Sequence, residues 1–217
     1  MKPSHLLAAM VLLGCASLAS TATAEKSLNL YMGTSFTADS TLDGTVGGLP
    51  AAAREVSWDN SIEAGIRASY WLEGGWNWLG VALDVSYFRP DVSSSSGAPV
   101  SALGSLHVIP VSPLLMVRAP LFVSERYTNG RIQPYIGAGA GFVTSVATSA
   151  GSSRRETDFD FGVDARLGLS ILVRPRFGIF LEYRYTDVVV HNRDVFGDRI
   201  KTTLESDHLN AGVSLRF

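Results

Sequence analysis

The chain has 217 residues, of which 46% are hydrophobic and only 18% charged, with a formal net charge of −2 and a mean hydropathy of +0.17. That is apolar for a water-soluble protein, yet past its first residues the sequence holds no uncharged apolar run of about eighteen or more, which excludes a membrane-spanning helix. The near-neutral charge supplies no basic face, so nucleic acid is not expected as a partner.

The first residues have their own explanation. Lys2 gives a positive start, residues 6–14 form a short apolar stretch, and Ala22-Thr23-Ala24 before Glu25 has the small-x-small pattern of a signal-peptidase site. Residues 1–24 are therefore predicted to be a cleaved signal peptide, leaving residues 25–217 as one domain. Cys15, in Leu12-Leu13-Gly14-Cys15, is alternatively a lipoprotein acceptor, although Leu13 fits that motif poorly and Cys15 comes early. Cleavage after Ala24 would leave the mature protein without a cysteine, and so without disulfide, thiol or cysteine-metal chemistry.

Strands are predicted over residues 27–36, 61–72, 76–88, 107–117, 133–144, 157–173, 177–186 and 204–217. Glu73-Gly74-Gly75 is a tight turn, because glycine accepts the positive φ of short hairpins, and Arg174-Pro175-Arg176 is another. The shorter joins are 73–75, 119–131 and 174–176, whereas 37–60, 89–106, 145–156 and 187–203 are long and polar. The even strand number and alternating join lengths predict an all-β fold, an eight-stranded antiparallel up-and-down transmembrane β-barrel. Short joins are periplasmic in such barrels, which puts both termini in the periplasm. No linker remains for a second domain.

Each predicted strand has two chemically different faces. The last one shows it best: Leu209, Ala211, Val213, Leu215 and Phe217 alternate with Asn210, Gly212, Ser214 and Arg216. Elsewhere the apolar face carries Leu30 and Met32, Ile62 and Ile66, Val81 and Leu83, and Leu167 and Leu169. The opposite face carries Glu63, Arg67, Asp84, Arg118, Asp160, Asp164, Arg166, Glu182, Arg184 and Arg216. A soluble sandwich also has one apolar and one polar face. Gly137, Gly139 and Gly141 on the polar face, and the near balance of acids and bases there, argue for a narrow barrel interior instead. Charges inside it must be paired, so these ten residues are expected to form an interior charge network. A soluble ligand-binding barrel, with the apolar face turned inward, is the minor alternative.

Pro134-Tyr135-Ile136-Gly137-Ala138-Gly139-Ala140-Gly141, Leu181-Glu182-Tyr183-Arg184-Tyr185 and the closing residues 208–217 resemble the repeated signatures of small OmpA-like outer-membrane β-barrel proteins. The resemblance is one of pattern and covers nearly the whole chain after residue 24. It implies the outer membrane as location, and a role for Phe217 as the signal read by the barrel-assembly machinery. The full OmpA type adds a periplasmic peptidoglycan-binding domain after its barrel, which is not expected here. The family is functionally mixed, so the resemblance implies a place and a shape more than a task.

Trp71, Trp76 and Trp78 around the first tight turn, with Phe177 and Phe217, fit a periplasmic aromatic girdle, and Tyr87 and Tyr185 approach the other rim. Some small barrels are enzymes acting on lipid. The histidines of the mature chain, His107, His191 and His208, do not form the His-x-Ser-Asn type of signature of lipid A deacylases, so they are expected to be structural or solvated. No metal or other cofactor is expected, because no His/Cys/Asp cluster has ligand spacing. Eight strands enclose an interior that side chains fill, so an open diffusion pore is not expected either.

The loops remain as the place for function. Ser93-Ser94-Ser95-Ser96-Gly97 is flexible in composition, Arg154 and Arg155 are basic, and 188–201 mixes apolar residues with Arg193, Arg199 and Lys201. These five basic residues are candidate contacts to lipopolysaccharide phosphates, or simply solvated charges. The expectation is an outer-membrane barrel, not an enzyme, with a structural or surface-interaction role. Its partners would be membrane lipid and lipopolysaccharide, with a lipid-directed barrel enzyme as the alternative.

Overall fold

A computed structural model describes residues 24–46, 49–50, 54–90, 105–148, 155–193 and 199–217. Strand β1 runs over Glu25–Thr37, and the long join after it holds three short strands, β2 (Ser40–Val46), β3 (Leu49–Pro50) and β4 (Arg54–Val56). The wall continues with β5 (Ser61–Trp71), β6 (Leu79–Phe88), β7 (Ser105–Arg118), β8 (Ile132–Thr148), β9 (Arg155–Arg174), β10 (Phe177–Arg193) and β11 (Arg199–Arg216). Setting β2–β4 aside, each strand pairs antiparallel with the next and β11 returns to β1, which closes an eight-stranded up-and-down barrel. Closure satisfies the backbone polar groups within the wall, the condition for a sheet to sit in lipid.

The predicted strands are all present, but most run further. The β8–β9 ladder continues to Thr148↔Arg155 and the β10–β11 ladder to Arg193↔Arg199. Alternation marks a strand only where the two sides differ, so it fades once the hairpins rise beyond the apolar belt, while β-branched Val188, Val189 and Val190 still favour extension. The join expected at 187–203 therefore narrows to 194–198. β2 adds to this hairpin through Ile200↔Gly44 and Lys201↔Asp43.

The third strand begins later than predicted. Gly74–Trp76 form a 3₁₀ turn, with Gly74 at φ 62° and the Leu72 N–H donating to the Leu79 carbonyl at 2.9 Å. Trp76 thus belongs to the turn, because the chain needs these residues to reverse within the span the ladder leaves.

Outside the barrel lies a continuous apolar surface. Met32, Ile62 and Leu167 are 64, 74 and 59% exposed, and Val81, Leu115, Ile136, Leu181 and Leu209 stand out beside them. An apolar patch that encircles the molecule would drive aggregation in water and matches a hydrocarbon environment. The inward face is the polar one, which reverses the order of a soluble barrel and removes the soluble alternative. Inward aromatic rings fit because glycine stands opposite them. Tyr31 pairs across the ladder with Gly65 and Tyr135 with Gly168, and a Cβ on either glycine would fall 2.4 or 2.3 Å from the ring.

Trp71 departs from the girdle expectation. It shares the inward parity of Arg67 and Ser69 on β5 and is buried, with the Arg118 guanidinium 4.3 Å from its ring centroid. Trp76 and Trp78 do face outward and stack on each other at 5.5 Å.

Candidate functional site

The period of two puts polar residues of every wall strand inside, and the barrel's stagger decides which of them meet. Three tiers result. The middle one is the densest in charge. Arg166 holds Asp164 with both fork nitrogens, Nε to Oδ1 and Nη2 to Oδ2, each at 2.9 Å. Its Nη1 donates to Asp84 at 2.8 Å and to Glu182 at 3.3 Å. Arg184 donates to Asp164 at 3.1 Å, to Glu63 at 2.5 Å and to the Ser86 hydroxyl at 2.7 Å. Arg67 pairs with Glu182, and its guanidinium lies between the Tyr135 and Phe180 rings, at 5.5 and 5.3 Å from their centroids.

Tyrosine, histidine and asparagine side chains complete the middle tier. The Tyr31 hydroxyl donates to Asp84 and the Tyr135 hydroxyl to Glu182, at 2.8 and 2.7 Å. His208 is fully buried, with Nδ1 2.9 Å from Glu63 and Nε2 3.0 Å from the Thr186 hydroxyl. Asn210 donates to Glu63 at 3.1 Å. Forked, mutual pairing of this kind offsets the large cost of taking charges out of water.

The second tier closes the end with the short turns. Glu25 accepts from Arg118 at 2.8 Å, from Arg216 at 2.6 Å and from the Asn129 side-chain amide at 2.5 Å. Gln133 Oε1 accepts from the same two arginines, at 3.2 and 2.8 Å, while its Nε2 donates to the carbonyls of Asn129 and Gly130. The join over 119–131 is thereby folded against the barrel mouth. At the other end, Phe88, Val108, Val143, Val188 and Leu204 form a buried apolar layer with Trp58 against it. A cavity of about 10 Å³ beneath that layer has room for no more than a water molecule.

Seven of the ten interior residues predicted from sequence meet in the middle tier: Glu63, Arg67, Asp84, Asp164, Arg166, Glu182 and Arg184. Arg118 and Arg216 belong instead to the turn end, and Asp160 faces inward four residues nearer the loop end of β9. Glu25, Tyr31, Tyr135, Gln133 and His208 were not anticipated as network members, although each shares the parity of a polar-face residue of its strand: Glu25 and Tyr31 that of Asn29, Gln133 and Tyr135 that of Gly137, and His208 that of Asn210. Phe217 is 74% exposed and exchanges backbone hydrogen bonds with Lys26.

The candidate lipopolysaccharide contacts stand differently. Arg154 lies outside the described residues. Arg155, Arg193, Arg199 and Lys201 lie on β9, β10 and β11 rather than in loops, with Arg193 opposite Arg199 and His191 opposite Lys201. Their side chains are outside the described residues. Among the described residues no group of three or more His, Cys, Asp or Glu is placed to hold a metal.

Residues 6–217 match the family model for the outer membrane protein beta-barrel domain. No functionally curated protein matches the sequence. Among solved structures the chain is similar to the outer membrane protein OprG of Pseudomonas aeruginosa, with a TM-score of 0.68 and 16% identity over 89% of this chain and 96% of that one. It is also similar to Neisserial surface protein A, with a TM-score of 0.49 and 15% identity over 88% and 97%. The N-terminal β-barrel domain of Pseudomonas aeruginosa OprF follows, with a TM-score of 0.47 and 11% identity over 89% and 97%.

Proposed function

We propose, from the premise that this chain belongs to the outer membrane protein β-barrel family, that it acts as a structural and surface-interaction barrel rather than as an open pore or an enzyme. The observation that carries this reading is the middle tier. Arg67, Arg166 and Arg184 with Glu63, Asp84, Asp164 and Glu182 occupy the lumen with side chains that are all fully or nearly fully buried. A water-filled path would leave some of them solvated. Eight-stranded barrels have an interior that side chains fill, whereas aqueous channels need about sixteen strands.

The surface role rests on the loop end, where the β8–β9 and β10–β11 hairpins carry the basic residues Arg155, Arg193, Arg199 and Lys201 beyond the apolar belt. These charges, with Arg154, suit the phosphates of lipopolysaccharide, since arginine binds phosphate through paired N–H donors. In this reading residues 1–24 are a cleaved signal peptide, both termini are periplasmic, and Phe217 is read by the barrel-assembly machinery.

Three experiments test it. Refolded protein in a planar bilayer is expected to give no porin-like conductance steps; regular open-channel steps would reject the closed-lumen reading. Protease treatment of intact cells is expected to cut only within 37–60, 89–106, 149–154 and 194–198. Cuts confined to the short turns would reverse the orientation. Replacing Arg193, Arg199 and Lys201 by alanine together should weaken stabilisation of the refolded barrel by added lipopolysaccharide, and an unchanged response would leave these residues as solvated charges.

A further inference from the structure

Between the middle tier and the turn-end tier the lumen holds a chamber of about 30 Å³, lined by Arg67, Arg118 and Arg216 together with serine hydroxyls from Ser69, Ser170 and Ser214. We propose that this chamber binds one small monovalent anion, of the size of chloride. The argument begins with charge. Arg118 and Arg216 share a single carboxylate, that of Glu25, and share the neutral Gln133 oxygen as their second acceptor. This tier therefore carries one more positive charge than negative. In the middle tier, by contrast, three arginines and His208 face four carboxylates. Within this tier the second guanidinium has no carboxylate of its own, and a buried charge is retained only where it is well partnered.

The donors point to the same ligand. Arg67 Nε, Arg118 Nη2 and Arg216 Nε are buried without a hydrogen-bond acceptor, and all three arginines line the chamber and are more than nine-tenths buried. Buried guanidinium N–H groups need acceptors, since an unsatisfied charged donor costs more than a neutral one. A water molecule would accept two of these bonds and would itself need two acceptors. An anion accepts from all three arginines and from the serine hydroxyls without donating, and it cancels the surplus charge. The space corresponds to about two water positions, enough for one halide ion and too small for a carboxylate-bearing metabolite.

The test uses the full chain refolded in detergent. Its unfolding midpoint is measured at constant ionic strength while gluconate, too large for the chamber, is replaced by chloride or bromide. The expected result is a saturable rise of about 2–4 °C with either halide. Arg118→Gln should abolish the rise, and Ser170→Ala should shift its midpoint concentration upward should Arg118→Gln fail to refold. Crystals grown in bromide are expected to show an anomalous peak inside the barrel between Arg67 and Arg118. Equal unfolding midpoints in gluconate and halide, or bromide peaks on the outer surface only, would overturn the proposal. So would a water molecule at that position in crystals grown in bromide.

Discussion

The middle and turn-end tiers are built from the same residue types but balance charge differently. In the middle, each carboxylate is shared by more than one donor, and Arg166 and Arg184 each reach more than one carboxylate, as with Asp164 between the two. At the turn end, two arginines converge on one glutamate, and neutral amides from Gln133 and Asn129 supply the further hydrogen bonds. A mutual network depends on every member, whereas a converging one has a single keystone. The first suits a rigid centre and the second suits a cap that closes after the strands have met.

That contrast can be broken from either side. The largest effect is expected from Arg166→Ala, which strands Asp84, Asp164 and Glu182 without their shared partner. Removing one member of a buried pair costs about 3–5 kcal/mol, read as a fall in the unfolding midpoint in detergent with loop-dependent binding unchanged. An unaltered midpoint would show that the middle tier adds nothing to stability. Glu25→Gln comes next, at about 1–3 kcal/mol, because it leaves Arg118 and Arg216 without their common carboxylate. Combining the two substitutions sharpens the comparison: the tiers share no residue, so their costs should add, and a shortfall measured in a double-mutant cycle would reveal coupling between them.

Smaller effects separate the tryptophans. Trp71→Leu should cost about 1 kcal/mol by removing the ring beneath Arg118. Trp76→Ala should stay within about 0.5 kcal/mol, because its ring stands outside the wall on the turn. Equal losses at both positions in a denaturant titration would contradict the inward placement of Trp71.

Trp71 also shows what could be read from sequence and what could not. A ladder allows only two side-chain directions, so the environment of Leu167 or Arg166 follows from parity alone, and the apolar and charged faces were legible throughout. The same parity places Trp71 inside with Arg67 and Ser69, but a tryptophan beside a hairpin turn also matches the chemistry of a membrane interface. Choosing composition over parity gave the wrong side. Partners were not legible at all. That Arg67 meets Glu182, or that Arg118 meets Glu25, depends on the stagger of eight strands, and no local pattern encodes it. The hairpin extensions that hold Arg193 and Arg199 were hidden for a third reason, since the residues over 187–193 do not alternate between apolar and polar.

The exchange of backbone hydrogen bonds between Lys26 and Phe217 has a kinetic meaning. With the Glu25–Arg216 contact, which spans 191 residues, it seals the seam between the first and last strands. A seam between residues so far apart in sequence cannot form early, because the loop it closes is nearly the whole chain. During assembly β1 and β11 must therefore both wait as open edges, each a template for pairing with the wrong strand or with another molecule. The longer the chain stays in that unzipped state, the more time mispairing has to compete with closure.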